Sequence, residues 1–383
     1  MTLRPIPRWL HYWAILTVVV TFCLLLLGGL VTTFRVGMAD PIWPTEPWYL
    51  FFINWQEPSR GFLIEHVHRL AGFTVGGLTA ILAIGIWFTE PRSLSRWLGV
   101  AALIALLTAF GQFHGQMMKQ KNAEVIVLPI DSVSAIFGSL GLLLILALSG
   151  LGQRHGRLRL LAVITLVAVM IQGLLGGFRV RLNVLAGTDL AAVHGIFGQV
   201  VFSLLVSLAV LTAKPREIPA IPDDNRLWLR RLAHVLVMLV FLQLVWGALT
   251  RHFATGLVQR LHILTAFLVV AALVWLFRSA RESAIAWQRL RVGCVLLTCL
   301  IVSQVTLGVE AWLGKFATGT LPELQKVTTG QAVVRTAHMM IGSIILATSV
   351  SLMLLTRRPI KQFDAVPAMT PLPVPLPQLG EAT

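Results

Sequence analysis

Long apolar segments alternate with short polar segments along the whole chain. Each apolar segment has about 18 to 25 residues, the length a helix needs to cross a hydrocarbon core of about 30 Å. Backbone groups in lipid must bond within their own segment, so these segments are expected to be helical. The pattern predicts ten membrane spans, at about 12–34, 61–88, 97–117, 132–150, 158–178, 190–212, 231–250, 257–278, 291–313 and 331–356. The predicted fold class is an all-α polytopic membrane protein.

The composition and the charge distribution support a bilayer protein. Of the 383 residues, 56% are hydrophobic and 12% are charged, which excludes a soluble domain of this size. The net charge is +15, but the positive residues fall in alternating loops instead of one stripe, which argues against nucleic-acid binding. The excess of Lys and Arg lies on the side of both termini. We therefore predict a bacterial plasma membrane protein with cytoplasmic termini.

A repeated signature divides the chain into two membrane halves. Four helices end in similar segments, LLLLGGLVT (24–32), QGLLGGFRV (172–180), QLVWGALTR (243–251) and QVTLGVEAW (304–312). After each of these helices and an outer loop, the next helix has a histidine near its start. The four histidines are His68, His194, His262 and His338. Two halves of four helices with two histidines each would form duplicated bundles related by a pseudo-twofold axis.

The repeat also sets the predicted domain boundaries. The amino-terminal half covers 1–213 and includes an inserted helical hairpin at about 97–150, which explains its extra length. A cytoplasmic linker is expected at 214–230 and the carboxy-terminal half at 231–356. The Pro-rich tail at 357–383 is expected to be disordered. The hairpin resembles a decayed copy of the repeat, with Ile136 where a histidine ligand would stand.

The four repeated histidines are the strongest candidates for chemistry. An ionisable group inside a span is costly and marks a functional site, although any one of the four could be a hydrogen-bonded core residue. Antiparallel neighbours would bring the imidazoles into facing pairs at one depth, the geometry of bis-histidine haem ligation. Zinc would need further ligands at each pair. The sequence leaves open whether His114 or His252, near the outer face, contacts a cofactor or substrate.

Charged residues beside these histidines suggest further roles. Glu65 and His68 are three positions apart and share a helix face, whereas His66 points about 200° away from His68 and is expected to face a loop or to pack. Glu65 could move protons, pair with Arg69 or cap its helix. Three arginines could neutralise haem propionates or extend to the membrane interface: Arg69, Arg260 and Arg335.

Four segments resemble the haem A synthases: GGLVTTFRVGMADPIWPT, EHVHRLAG, QGLLGGFRV with AAVHG, and GQAVVRTAHMMIG. The resemblance implies a duplicated eight-helix bundle that oxidises the C8 methyl of haem O to the formyl of haem A with oxygen from water. It implies that His68 and His194 hold the substrate porphyrin, that Glu65 is catalytic, and that His262 and His338 hold haem b as an electron relay. Partners would then include a haem O synthase or cytochrome oxidase assembly factors, and a homo-oligomer is compatible with the sequence.

The chain departs from that family in several places. The outer loops lack the cysteine pair of some members, the inserted hairpin is unusual, and Arg35 stands where a small residue is expected. A bis-histidine dihaem cytochrome is the main alternative function, and a transporter is the next. The halves differ at one informative position, because Gln259 occupies the place before His262 that Glu65 occupies before His68. A cytochrome that only transfers electrons would not need this carboxylate.

Overall fold

The computed structural model describes residues 6–39, 59–90, 93–120, 127–153, 155–214, 221, 223–253, 255–319 and 325–357. These residues form ten helices: α1 Arg8–Thr33, α2 Arg60–Trp87, α3 Leu94–Lys119, α4 Ile130–Ser149, α5 Gly156–Arg181, α6 Asn183–Thr212, α7 Asp223–His252, α8 Gly256–Arg281, α9 Ala284–Phe316 and α10 Thr329–Arg357. All ten are long and apolar enough to cross a membrane. The prediction of an all-α polytopic membrane protein is confirmed.

The helices form two closed rings of four. Helices α1, α2, α5 and α6 pack in that order around the first ring, and α7, α8, α9 and α10 pack in the same order around the second. The hairpin of α3 and α4 lies outside the first ring, against α2 and α5. The duplicated bundles and the inserted hairpin therefore occur as predicted.

The two rings meet through α1 and α6 on one side and α7 and α10 on the other. Helix α6 packs on α10. The contact of α1 with α10 has its equivalent in the contact of α7 with α6, so the set of contacts is the same when the two halves are exchanged. Phe22 of α1 and Phe202 of α6 lie 6.2 Å apart between ring centres and join the apolar core of the second ring. One continuous core therefore connects the halves.

The hairpin is attached at the predicted cytoplasmic end of the first ring. The indole of Trp87 packs directly on the backbone of Gly99, where any side chain would collide with it. Beside it, Arg159 of α5 pairs with Glu90 at 3.5 Å, and both side chains are almost completely buried. Arg96 of α3 also donates to the Glu90 carbonyl at 3.5 Å. These contacts bind the hairpin to the ring through polar and apolar groups together.

Several predicted boundaries differ from the structure. The predicted linker at 214–230 is wrong in its second part, because residues 223–230 belong to α7. A helix bonds within its own backbone and can continue into the polar interface, so an apolar segment marks only its buried length. Similarly, α6 begins before the predicted residue 190 and contains a kink at Ala186, where φ is −147° and ψ is 25°. Linker residues 215–220 and 222, the outer loop at 40–58 and the tail from 358 lie outside the described residues.

Candidate functional site

The four repeated histidines form two facing pairs, one in each ring. The ring centres of His68 and His194 lie 6.5 Å apart with their planes at 82°. Those of His262 and His338 lie 6.2 Å apart with their planes at 79°. In each pair one histidine comes from the second helix of the four-helix ring and the other from the fourth, and only their side chains meet in the middle of the bundle. The expectation that antiparallel neighbours supply the imidazoles is therefore wrong, because the second and fourth helices are not adjacent and run in the same direction.

This spacing fits a metal held between two imidazoles. With metal–nitrogen bonds of about 2 Å and about 1.1 Å from each nitrogen to its ring centre, such a metal separates the ring centres by about 6 Å. Both pairs have this separation without any movement of the backbone. Edge-to-face contacts between aromatic rings cover the same range of separations, so the distance is compatible with a shared axial ligation site and with direct packing of the imidazoles.

A glycine from the repeated signature lies against each of the four imidazoles. A methyl group on Gly28, Gly176, Gly247 or Gly308 would come within 2.9 to 3.2 Å of the Cε1 atom of the facing histidine. Real side chains rarely approach so closely. The glycines therefore allow each imidazole to pack directly on the backbone of a neighbouring helix. This contact explains why a glycine occurs in every copy of the repeated signature.

The residue four positions before each glycine orients the imidazole in the second ring. Nδ1 of His262 lies 3.1 Å from the carbonyl oxygen of Gln243, and Nδ1 of His338 lies 3.2 Å from that of Gln304. When Nδ1–H donates to a carbonyl, Nε2 keeps its lone pair for a metal. The Gln304 amide nitrogen is 3.4 Å from Nε2 of His338, too far for a strong bond.

The first ring repeats this arrangement less completely. Gln172 donates to the His194 carbonyl at 3.0 Å, and its amide nitrogen lies 3.4 Å from Nε2 of the same histidine. Leu24 occupies the corresponding position before Gly28. The backbone of Leu24 interacts with His68 and that of Gln172 with His194, as in the second ring, but neither Nδ1 atom has a partner with full hydrogen-bond geometry.

Glu65 lies on α2, three positions before His68. Its carboxylate is buried and accepts a hydrogen bond of 2.8 Å from Nη2 of Arg69. His66 is also buried and stacks on Phe62 with 5.5 Å between ring centres. Of the two expectations for His66, packing is therefore the correct one.

Arg179 is a site residue that the sequence interpretation missed. It projects from the last turn of α5, and its guanidinium fills the space over the backbone of Gly37, where a side chain would collide with it. It interacts electrostatically with Glu65 and with both imidazoles of the first pair, His68 and His194. A signal was present, because residues three apart share a helix face and Arg179 follows Gly176 by three.

The other predicted site residues have different surroundings. Arg335 donates to the carbonyl of Gly314 at 2.8 Å, and Arg260 is exposed on α8. His114 packs edge-on against Phe73 of α2 at 5.7 Å, and His252 interacts electrostatically with cations of both rings. None of these contacts is with an imidazole of either pair. The predicted propionate roles of Arg69, Arg260 and Arg335 therefore stay predictions, and Arg69 is bonded to Glu65.

The second ring has a neutral group in place of the carboxylate. Gln259 accepts a hydrogen bond of 3.2 Å from the indole of Trp312. Within the described ranges, no group of three or more His, Cys, Asp or Glu side chains could hold a metal ion, so a zinc-type ligand set does not form there. In the hairpin, a side chain added at Gly111 would meet no atom of the described residues within 4 Å.

Over the described residues, the fold and the site define an all-helical membrane protein with two facing histidine pairs. The buried Glu65 precedes His68 of the first pair by three positions, where Gln259 precedes His262 of the second. No protein-family model, curated protein or solved structure matches the chain. The functional argument therefore depends on the geometry of the pairs and on their surroundings.

Proposed function

We propose that this protein is a haem A synthase-like oxidoreductase that converts the C8 methyl of haem O to the formyl of haem A. The observation that carries the proposal is the pair of imidazole sites, each with the separation that an axially ligated iron requires. Support for unequal roles comes from Glu65, whose place in the second ring is taken by Gln259. One site is suited to chemistry and the other to holding a stable cofactor.

In this proposal His68 and His194 hold the substrate porphyrin, and His262 and His338 hold haem b. When bound, haem b supplies a one-electron relay for the oxidation in the first ring. The second pair is the better candidate for a permanent group, because carbonyl oxygens orient both of its imidazoles. The first pair has the corresponding backbone interactions with Leu24 and Gln172, but in weaker geometry.

Glu65 is the proposed proton acceptor at the substrate site. Conversion of a methyl group and one water to a formyl group releases four protons and four electrons. The electrons would leave singly through the haem held by the second pair to an external electron acceptor, and a carboxylate near the reacting carbon could accept protons. Arg69 bonds to one carboxylate oxygen, and Arg179 approaches from another helix. The two arginines therefore orient the Glu65 carboxylate.

The experiment that tests this proposal compares wild type with Glu65→Gln, which keeps the side-chain shape and removes the charge. Each protein is produced in cells that make haem O, and the extracted haems are separated by chromatography. We expect haem B with haem O or A from wild type, and haem B with haem O alone from the variant. Haem A at wild-type yield from Glu65→Gln would remove the carboxylate from the mechanism.

A bis-histidine dihaem cytochrome is the second candidate. The two halves have similar distances between facing imidazoles and matching glycines against them. These similarities favour a cytochrome, because an electron carrier can use two equivalent sites. This function does not account for the buried Glu65 with its arginines. The same extraction distinguishes the candidates, since haem B alone at two per chain would support the cytochrome.

The proposed setting is a bacterial plasma membrane with both termini in the cytoplasm. The chain is a multi-pass membrane protein, and the excess of Lys and Arg in the loops on the side of the termini supports this orientation. Both imidazole pairs would then lie near the outer face. A haem O synthase or cytochrome oxidase assembly factors are the proposed partners.

A further inference from the structure

Arg251 forms a polar connection between the two rings. It lies in the last turn of α7, in the second ring, but its guanidinium bonds to α1 of the first ring. Nη2 donates to the carbonyl of Gly29 at 2.7 Å and also contacts the hydroxyl of Thr33. Nη1 lies 3.4 Å from the sulfur of Met339 on α10. One side chain therefore joins three helices from both halves.

The surroundings of Arg251 hold it in this position. The ammonium group of Lys315 on α9 donates to the carbonyls of Thr250 and Arg251 at 3.0 and 3.1 Å, which satisfies the end of α7. Across the interface, the hydroxyls of Thr33 and Thr336 lie 3.2 Å apart. The cation is thus fixed by the backbone and by neighbouring polar groups, and it does not need to extend into solvent.

This fixed charge lies beside the histidine pair of the second ring. Met339, which Nη1 contacts, follows His338 in the chain, and Arg251 interacts electrostatically with that imidazole. On the other side, Gly29 follows Gly28, the glycine that packs against His68. The Arg251 guanidinium therefore contacts both Met339, the chain neighbour of His338, and Gly29, the chain neighbour of Gly28.

A ferric bis-imidazole haem carries one more positive charge than the ferrous form. A fixed cation nearby therefore disfavours the ferric state and favours electron uptake, and the effect is large where water is excluded. We propose that the positive charge of Arg251 raises the reduction potential of the iron held by His262 and His338. This inference rests on the haem occupancy of the proposed function. It adds a residue that makes the relay a stronger electron acceptor.

The test is a potentiometric titration of the purified, haem-loaded protein, followed by visible absorbance. Arg251→Met fills the same space without charge, and Arg251→Lys keeps the charge without the planar fork. We expect the midpoint potential of the second-ring haem to fall in Arg251→Met and to stay close to wild type in Arg251→Lys. The haem is assigned by repeating the comparison in a His194→Ala background, in which the second-ring pair is the one left intact.

Arg231→Met is the matched control, because Arg231 is exposed on the same helix and 20 residues away. That separation is about 30 Å along a helix, so its removal leaves the potentials unchanged. Two bound haems with wild-type potentials in Arg251→Met would overturn the inference. If Arg251→Met and Arg251→Lys both lose the second-ring haem, Arg251 acts in packing and the inference is also wrong. Wild-type protein that binds no haem would instead contradict the proposed function.

Discussion

Replacement of Gly308 by alanine tests whether the imidazole of His338 must lie directly on a neighbouring helix. The added methyl would lie 3.0 Å from Cε1 of His338. Carbon atoms reach favourable contact at about 3.5 Å, so the imidazole must move by about 0.5 Å or the helices must separate. Ligand distances in metal sites tolerate changes of about 0.2 Å. The displacement therefore exceeds what the axial bond can absorb.

The cost of this overpacking is about 1–3 kcal/mol, which corresponds to a loss of about 5- to 150-fold in haem affinity. Gly247→Ala is expected to have a smaller effect, because its methyl would lie 3.2 Å from Cε1 of His262. Gly314→Ala is the control on the same helix as Gly308, since its nearest neighbour atoms, on Gln331, would lie at an ordinary 3.7 Å. The assay is haem titration of the purified apoproteins, followed by absorbance.

The expected order of haem affinity at the second ring is wild type equal to Gly314→Ala, then Gly247→Ala, then Gly308→Ala. Thermal unfolding of the four apoproteins in one detergent checks that the differences come from the site. Equal affinities for all four proteins would refute the close-packing argument. A loss in Gly314→Ala as large as that in Gly308→Ala would also refute it, because the effect would then be a general one of α9.

Two further predictions concern Arg179 and Arg159. Arg179→Gln should lower the rate of formyl production, whereas Arg179→Lys should retain more of it because the charge facing Glu65 is kept. The measurement is the pH profile of turnover, and an unchanged profile in Arg179→Gln would exclude a role beside Glu65. Arg159→Met should destabilise the protein by about 3–5 kcal/mol because it leaves Glu90 buried and unpaired, whereas the double variant Arg159→Met with Glu90→Leu should recover most of that loss. Thermal unfolding in detergent measures both variants, and equal stability of single and double variants would contradict the second prediction.

The apolar pattern was sufficient to predict the ten helices, because the length and composition of a span are local properties. It could not predict where α7 begins. The segment at 223–230 is polar, yet a helix can extend beyond the hydrocarbon as long as its backbone bonds are formed. The pattern predicted a loop between residues 178 and 190, and the structure instead has helix from Asn183 with a kink at Ala186.

The facing histidines were predictable because the repeat places each one at the same depth, and two-fold duplication gives each half its own pair. The reason for the repeated glycines was not predictable. A glycine in a membrane helix allows close approach of whatever lies next to it, and the structure shows that Gly28 and Gly308 face imidazoles. The identity of the neighbouring group depends on which helix faces which, and this information is tertiary.

Arg179 and Arg251 were overlooked for a related reason. An arginine at the end of a membrane helix usually extends to the interface. The spacing between Gly176 and Arg179 indicates that they share a helix face, but it does not show which way that face points. Arg251 bonds to Gly29, more than 200 residues away in the chain. Charge pairing across a bundle interface can be recognised once the packing of the helices is known.

The most direct test of the central claim is the ratio of haem to protein in purified wild type, His194→Ala and His338→Ala, measured together with the ferric spectrum. Wild type should bind two low-spin haems per chain when haem is supplied in excess, and each variant should lose the low-spin signal of one haem and retain the other. Low-spin haem at the full wild-type ratio in both variants, or wild-type protein without any low-spin haem, would contradict ligation by these two imidazole pairs.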